Sequence, residues 1–159
     1  MRETVFLVQN SMEFSKVSGD RRQFYDLLLL ADEQEEMIAR YIDRGDMFVL
    51  TDKGRVCGQC IVTQEGDGIY EIKSISVCPE YQNKGVGSLI VRHCLKYYVN
   101  WREFRAGTGD APGGTVSFYE KLGFQRYDTI RDFFTLNYDH PIVENGCLLK
   151  DMIMLRKVR

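Results

Sequence analysis

The chain of 159 residues has only two histidines, His93 and His140, three prolines, no sustained apolar run and no surplus of either charge. Each scarcity removes a class of function. Five cysteines dispersed at 57, 60, 78, 94 and 147, with so few histidines, leave no second ligand pair, so no metal site is expected. An odd, scattered cysteine set fits small buried side chains in a reducing compartment. Cys57-Gly58-Gln59-Cys60 has redox or zinc spacing, but it falls in a strand-like run. Residues three apart in a strand point to opposite faces, so the pair reads as structural. The longest aliphatic stretch, residues 27–31, is far too short to span a membrane. Near the N-terminus, Val5-Phe6-Leu7 gives way to Gln9, Asn10, Glu13 and Lys16, which leaves no secretory apolar region or transit helix. A cytoplasmic location is the default expectation. The 21 basic and 23 acidic side chains are scattered, so no basic field exists to gather nucleic acid.

What is present suffices for one core. With 44% apolar and 12% aromatic residues, residues 1–159 are expected to form one domain. Residues 4–8 predict a first strand, and Phe24-Tyr25 with residues 27–30 a largely buried helix. Asp32 followed by Glu35 predicts a capping box for a second helix, in which Met37, Ile38, Tyr41 and Ile42 recur at helical spacing before Gly45. Three β-rich runs, 47–50, 56–63 and 70–77, are separated by the glycine turns Asp52-Lys53-Gly54 and Glu65-Gly66-Asp67-Gly68, which predicts an antiparallel meander. The period then becomes helical. Val86, Leu89, Ile90, His93, Cys94, Tyr97 and Trp101 share one stripe, opposite Ser88, Arg92, Lys96 and Asn100. Residues 104–108 read as a strand that this crossover helix makes parallel to the third hairpin strand. A short helix over 116–122, stopped by Gly123, precedes strand candidates at 124–134 and 148–158, with a polar loop over 135–147.

The richest segment is 71–88. A strand runs into Pro79 and then into Gln82-Asn83-Lys84-Gly85-Val86-Gly87-Ser88 before the long helix begins. Strand, glycine turn and helix start together make an anion site, because glycines let backbone N–H groups converge where the helix adds about half a positive charge. Spacing rejects the two common nucleotide loops. A Walker loop needs four residues between its glycines and a following Lys-Ser/Thr, and a dinucleotide fingerprint needs a third glycine where Ile90 stands.

Gln82-Asn83-Lys84-Gly85-Val86-Gly87 resembles, at every specified position, the Gln/Arg-x-x-Gly-x-Gly/Ala loop of the GNAT N-acetyltransferases. Ile75-Ser76-Val77 is similar to the family's pantetheine-pairing strand end, and Ser117-Phe118-Tyr119-Glu120-Lys121-Leu122-Gly123-Phe124 to its second signature. The order of strands and helices agrees over nearly the whole chain. The resemblance implies an α/β (α+β) fold: a central mixed, mostly antiparallel sheet of about six or seven strands with about four helices, two parallel strands splaying to hold the cofactor. It implies acetyl-CoA as co-substrate, with residues 82–88 on the pyrophosphate and main-chain groups of Ile75 and Val77 on the pantetheine amides. Tyr119 takes the place of the tyrosine that protonates the coenzyme sulfur. Glu71, 11 residues before Gln82, stands where histone-type members keep a glutamate base, and alternation puts it on one face with Lys73, Ile75 and Val77. A water chain is the alternative base. The chain departs from the pattern at Pro112, where members often carry an asparagine that touches the cofactor; Asp110, Thr108 or bare backbone at Gly113 and Gly114 are the substitutes.

In the family the acceptor pocket lies between the first two helices and the loop joining the last two strands, here residues 31–36 and 132–146. Asp32, Glu35, Glu36, Asp132, Asp139 and Glu144 give these segments an acidic bias suited to a cationic amine, or serve as solvated surface. Asp132-Phe133-Phe134 and Asn137-Tyr138-Asp139-His140-Pro141 resemble a feature of some bacterial members; their aromatics suit an ammonium grip, a core plug or a homodimer contact equally. His140, held extended before Pro141, reads as a structural loop residue. The expected function is acetyl transfer to a small-molecule amine by direct attack, without an acyl-enzyme, although Cys78 lies near the strand end. Protein lysine or N-terminal acetylation and a non-catalytic acyl-CoA sensor are the rival readings.

Overall fold

The computed structural model describes residues 2–9 as backbone and residues 12–159 in full. Among the described residues ten strands are formed: β1 (Arg2–Gln9), β2 (Met12–Val17), β3 (Asp46–Asp52), β4 (Arg55–Gly66), β5 (Ile69–Val77), β6 (Glu103–Gly109), β7 (Gln125–Ile130), β8 (Val143–Glu144), β9 (Cys147–Leu148) and β10 (Met152–Val158). Five α-helices of the described residues join them: α1 (Tyr25–Ala31), α2 (Glu35–Ala39), α3 (Val86–Tyr97), α4 (Thr115–Lys121) and α5 (Phe133–Asn137). Eight strands make one sheet in the order β1, β2, β3, β4, β5, β6, β10, β7, and β8 with β9 form a separate hairpin. Every neighbouring pair in the sheet is antiparallel except β5 and β6, the parallel pair that the crossover through α3 predicted.

Two apolar clusters sandwich the sheet. On one face, Val86, Ile90, Val91 and Cys94 of α3 and Val116 and Tyr119 of α4 pack on Phe14, Phe48, Cys60, Ile72 and Phe104. Burying each such aromatic ring contributes about 2–3 kcal/mol. On the other face, Leu28 of α1 and Ile38 of α2, with Tyr41 and Ile42, cover Val17, Met47, Val49 and Ile61. Ser76 Oγ of β5 donates to Leu27 O at 2.6 Å and accepts from Gln59 Nε2 at 3.1 Å, which ties α1 to the sheet. The turn after α2 depends on Gly45, whose φ is +56° and whose added Cβ would lie 2.1 Å from Val62 O.

The structure departs from the sequence reading in several places. The sheet exceeds six or seven strands because residues 12–17 form β2, with Met12, Phe14 and Val17 turned inward. Asp32 is not a helix N-cap. It ends α1, while Gln34 stands at the N-cap of α2 without a side-chain bond. The strand expected to run to 134 stops at Ile130, because Asp132 adopts a left-handed φ of 57° and α5 follows. Part of the supposed polar loop is the β8–β9 hairpin, which turns on Asn145 and Gly146, both at positive φ, the pair that a two-residue type I′ turn favours. Cys57 and Cys60 do not face opposite ways. Leu50 pairs with Gly58 and Thr51 with Val56, so Cys57 is an extra residue in a β-bulge and joins Cys60 in the same apolar cluster. Both remain free thiols. No helix of the described residues is long and apolar enough to cross a membrane.

Candidate functional site

Strands β5 and β6 pair only from Ile69 with Glu103 to Ile72 with Ala106. Beyond that point β5 stays with β4 as far as Val77 opposite Gly58, and β6 stays with β10 as far as Gly109 opposite Met152. Lys73 is skipped in the β4 register, between Ile61 with Ser74 and Val62 with Ile72, and this second bulge marks where the strands part. Cys78 N–H donates to Cys57 O at 2.8 Å on the β4 side. Strand alternation therefore turns the peptide groups of Ile75 and Val77 to the other edge, where β6 has departed. Gln82 Nε2 reaches that edge and donates to Val77 O at 2.9 Å.

Past Val77 the chain tightens into a turn built for an anion. Pro79 opens a short 3-10 turn, Tyr81 N–H donates to Cys78 O at 2.9 Å, and Tyr81 Oη anchors the turn on Asp52 Oδ2 at 2.8 Å. Asn83 and Gly85 then take left-handed φ values of 60° and 80°. Helix α3 starts at Val86 with no side-chain cap and no acidic residue in its first turn. Its first intrahelical bond is Leu89 N–H to Gly85 O at 3.1 Å, so the N–H groups of the first turn stay open to an incoming anion. Gly87 lets the turn close on α4, since a Cβ there would meet the Phe118 ring at 3.2 Å. A slot of about 730 Å³ runs along this turn, lined by Gln82, Asn83, Gly85, Val86, Gly87 and Ser88 and by Gly113, Gly114 and Lys121 across from them. The Lys84 side chain does not line it.

The slot shares Ile75, Thr115 and Glu144 with a second cavity of about 410 Å³ in the splay itself. Tyr119 of α4 lines this cavity, 2% exposed, its ring edge-on to Phe118 and Phe124 at centroid distances of 5.0 and 5.3 Å. Burial, with the Cys60 and Cys94 thiols nearby, holds its phenol well above the usual tyrosine range. Glu71 lies one residue before the splay and is ion-paired with Lys73 Nζ, which also lies 3.7 Å from Glu65 Oε1. Lys73 lines the cavity and Glu71 does not. Because of the bulge, Ile75 and Val77 pack toward α3 with Ile72, on the face opposite Glu71, where simple alternation had put Ile75 and Val77 on the face of Glu71.

The far wall of the cavity joins the α1–α2 connection to the segment after α5, as the sequence anticipated. Asp32 Oδ1 accepts from Tyr138 Oη at 2.8 Å and Gln34 N–H at 3.4 Å, while Oδ2 accepts from Tyr41 Oη at 3.3 Å. Burial nevertheless pushes the Asp32 carboxyl above its ordinary range. Gln34 bridges the segments again, donating to Asn137 O at 3.2 Å and accepting from Asp139 N–H at 3.0 Å. His140 Nε2 contacts Glu33 Oε1 at 2.8 Å, which fits its structural reading and makes Glu33 a wall residue that the sequence reading passed over. Phe134 is buried with Ala111, Ile142 and Leu149, and stacks on Tyr138 at 5.5 Å. Of the two side-chain substitutes for the missing asparagine, Asp110 accepts from Lys150 N–H at 3.1 Å, whereas Thr108 lines the cavity. Glu144, named among the acidic wall residues, lines both cavities, whereas Lys121 was missed, since only the fold of α4 brings it to the slot.

The chain is similar to known proteins in both sequence and fold. Residues 43–126 match the family model described as an acetyltransferase (GNAT) domain. The uncharacterized N-acetyltransferase YvbK of Bacillus subtilis (strain 168) is 30% identical over 135 residues, 84% of this chain and 87% of that protein. An IAA acetyltransferase from Bacillus cereus ATCC 14579 superposes with a TM-score of 0.86 at 30% identity, covering 94% of this chain and 100% of that one. A GNAT family acetyltransferase from Elizabethkingia anophelis, solved with acetyl-CoA bound, gives 0.87 at 29% identity, with 95% and 100% covered. The splayed parallel pair, the glycine turn before α3 and these similarities agree on one conclusion: the chain belongs to the GNAT family of acetyltransferases.

Proposed function

We propose that residues 1–159 form one acetyl-CoA-dependent N-acetyltransferase domain that acetylates the amine of a small-molecule acceptor by direct attack in a ternary complex. The observation that carries this reading is the continuity of the two cavities through Ile75, Thr115 and Glu144, which connects an anion-binding turn to a buried phenol and a carboxylate-lined wall. Acetyl-CoA, when bound, supplies the thioester whose carbonyl carbon gains the C–N bond as its C–S bond breaks. The main-chain groups of residues 82–88 hold the pyrophosphate at the helix start, and the open edge at Ile75 and Val77 pairs the pantetheine amides. Ser76 supports that edge from behind through Leu27. Fixing both reactants in this way removes up to about 7–11 kcal/mol of barrier in ideal cases.

Two proton transfers complete the reaction. Tyr119, kept protonated by burial, gives its proton to the departing sulfur. Glu71, one residue from the splay, takes the ammonium proton through water that reaches the cavity past Lys73. Cys78 lines neither cavity, and burial together with the Glu80 charge pushes its thiol up, which leaves a poor nucleophile and favours direct transfer. The test is calorimetric titration with CoA, followed by thiol release from acetyl-CoA against polyamines, aminoglycosides, amino acids and peptides. Micromolar uptake with turnover of a small amine is expected. Tight uptake without turnover of any amine would favour the sensor reading, and turnover of peptides alone the protein-acetylating one.

A further inference from the structure

Four charged side chains line the cavity in the splay: Asp32, Glu33, Lys73 and Glu144. Two of them have an oppositely charged partner, and Glu144 has a hydroxyl. Lys73 is held by Glu71 and Glu65, Glu33 by His140 Nε2 at 2.8 Å, and Glu144 Oε1 by Thr115 Oγ1 at 3.4 Å. Asp32, like Glu144, accepts only from neutral donors, here two phenols and one amide, and burial bears on its carboxyl most strongly. A half-buried carboxylate without a cation is costly to keep ionised, and an arriving ammonium relieves that cost. Oδ2 accepts a single long bond and keeps a lone pair for it.

One side of the remaining wall is apolar. Leu29 and Leu30 of α1 face Phe134, Ile142, Val143 and Leu149 across the cavity, and Leu30 and Val143 are left 52% and 60% exposed. Exposed aliphatic groups at the mouth of a cavity mark a surface that a ligand covers. At about 410 Å³ the space is near the lower end for ligand pockets, and the part between β5 and β6 must also hold the thioester end. A polyamine or aminoglycoside seated along that side would set its further cations against leucine and valine, with Glu33 already paired to His140 and Glu144 held by Thr115.

We infer that the acceptor is a primary monoamine on a compact apolar body, alkyl or aryl, its ammonium received at Asp32 and its body held between α1 and the β8–β9 hairpin; this rests on the acetyl-transfer reading above. The experiment measures thiol release from acetyl-CoA with phenylethylamine, isoamylamine, spermidine and kanamycin, with CoA uptake followed separately by calorimetry. Phenylethylamine or isoamylamine should exceed spermidine and kanamycin in kcat/KM by about tenfold or more, the discrimination expected when desolvated cations lack partners. Asp32→Asn should raise KM for the monoamines about tenfold, as loss of a charged hydrogen bond does, with kcat changed far less. Since Asp32 also braces Tyr138 and Tyr41, Leu30→Asp gives an independent check on an exposed position: monoamine kcat/KM falls and spermidine kcat/KM rises. Preference for spermidine or kanamycin in the native chain, or no effect of Leu30→Asp on selectivity, overturns this inference and leaves acetyl transfer standing. Normal CoA uptake with no thiol release from any of the four amines also overturns it. Absence of CoA uptake removes the underlying reading as well.

Discussion

Replacing Tyr119 by phenylalanine removes one oxygen and leaves the ring where it is, against Phe118 at 5.0 Å and Phe124 at 5.3 Å. Packing is therefore preserved, and stability should change by no more than about 1 kcal/mol. CoA affinity should not move, because the turn at residues 82–88 is untouched. If the phenol protonates the leaving sulfur, kcat should fall by a factor of about 100 to 10,000, the usual worth of a positioned general acid. The pH profile gives a second readout. An acid catalyst loses rate as pH rises through its pKa, and burial holds this phenol well above the usual value of about 10. Tyr119 should then contribute no falling limb between about pH 7 and pH 10. The assay is steady-state thiol release from acetyl-CoA across that range, with calorimetric CoA binding and urea unfolding as controls. A Tyr119→Phe chain that binds CoA, unfolds like the native one and turns over at the native rate would refute the assignment and reduce Tyr119 to packing.

Three further outcomes follow from positions outside the turn. Gly45→Ala should lower the urea midpoint by the equivalent of about 2–4 kcal/mol, since it combines a left-handed φ with a Cβ 2.1 Å from Val62 O. His93, buried against Phe14 at a ring distance of 5.3 Å, has its pKa lowered to about 4 by desolvation and by Lys96. Below about pH 6.5 the unfolded chain binds a proton that the folded chain refuses, so stability drops as pH falls toward 4, by on the order of 1–3 kcal/mol. Urea titrations at neutral and acid pH read this slope, and His93→Gln should flatten it. Cys78→Ala should keep native kcat and KM, as direct transfer requires; complete loss of turnover in a folded, CoA-binding Cys78→Ala chain would point to a cysteine intermediate instead.

Much of this was legible in the sequence because local signals and the global fold agree. The turn at Gln82-Asn83-Lys84-Gly85-Val86-Gly87 could be read because left-handed positions and uncapped helix starts leave glycine and asparagine as their signature, and Asn83 and Gly85 do adopt positive φ. The parallel β5–β6 pair followed from one helical crossover. Elements that depend on distant partners were not legible. β2 alternates imperfectly, with Phe14 and Ser15 both buried, because it lies between two strands and both its faces are covered, Phe14 packing in one apolar cluster and Val17 in the other. Asp32 looked like a cap because Glu35 follows it at the right spacing, yet its carboxylate answers to Tyr138, 106 residues away. The β8–β9 hairpin had a usable signal in Asn145-Gly146, which the surrounding polar residues obscured.

The least legible feature is also the one that makes the site. Period-two alternation assumes an unbroken register, and β4 breaks it at Cys57 and again at Glu65, while β5 breaks it at Lys73. A bulge inserts one residue, bends its strand and sharpens the local twist. Had β5 kept its register past Ile72, its next residues would have continued along Gly107 and Gly109, and the sheet would have closed over the place where Tyr119 now lines a cavity. Instead β5 follows β4 and β6 follows β10, so the peptide edge at Ile75 and Val77 stays open while the rest of the sheet remains hydrogen-bonded. The same extra residue presents Lys73 to the cavity and to the Glu71 carboxylate together. Deleting Lys73 should therefore abolish CoA uptake, whereas Lys73→Ala, which keeps the bulge and loses only the ammonium, should retain uptake and alter the pH dependence of turnover. Equal CoA affinity in the deletion and the native chain would show that the opening does not depend on the bulge.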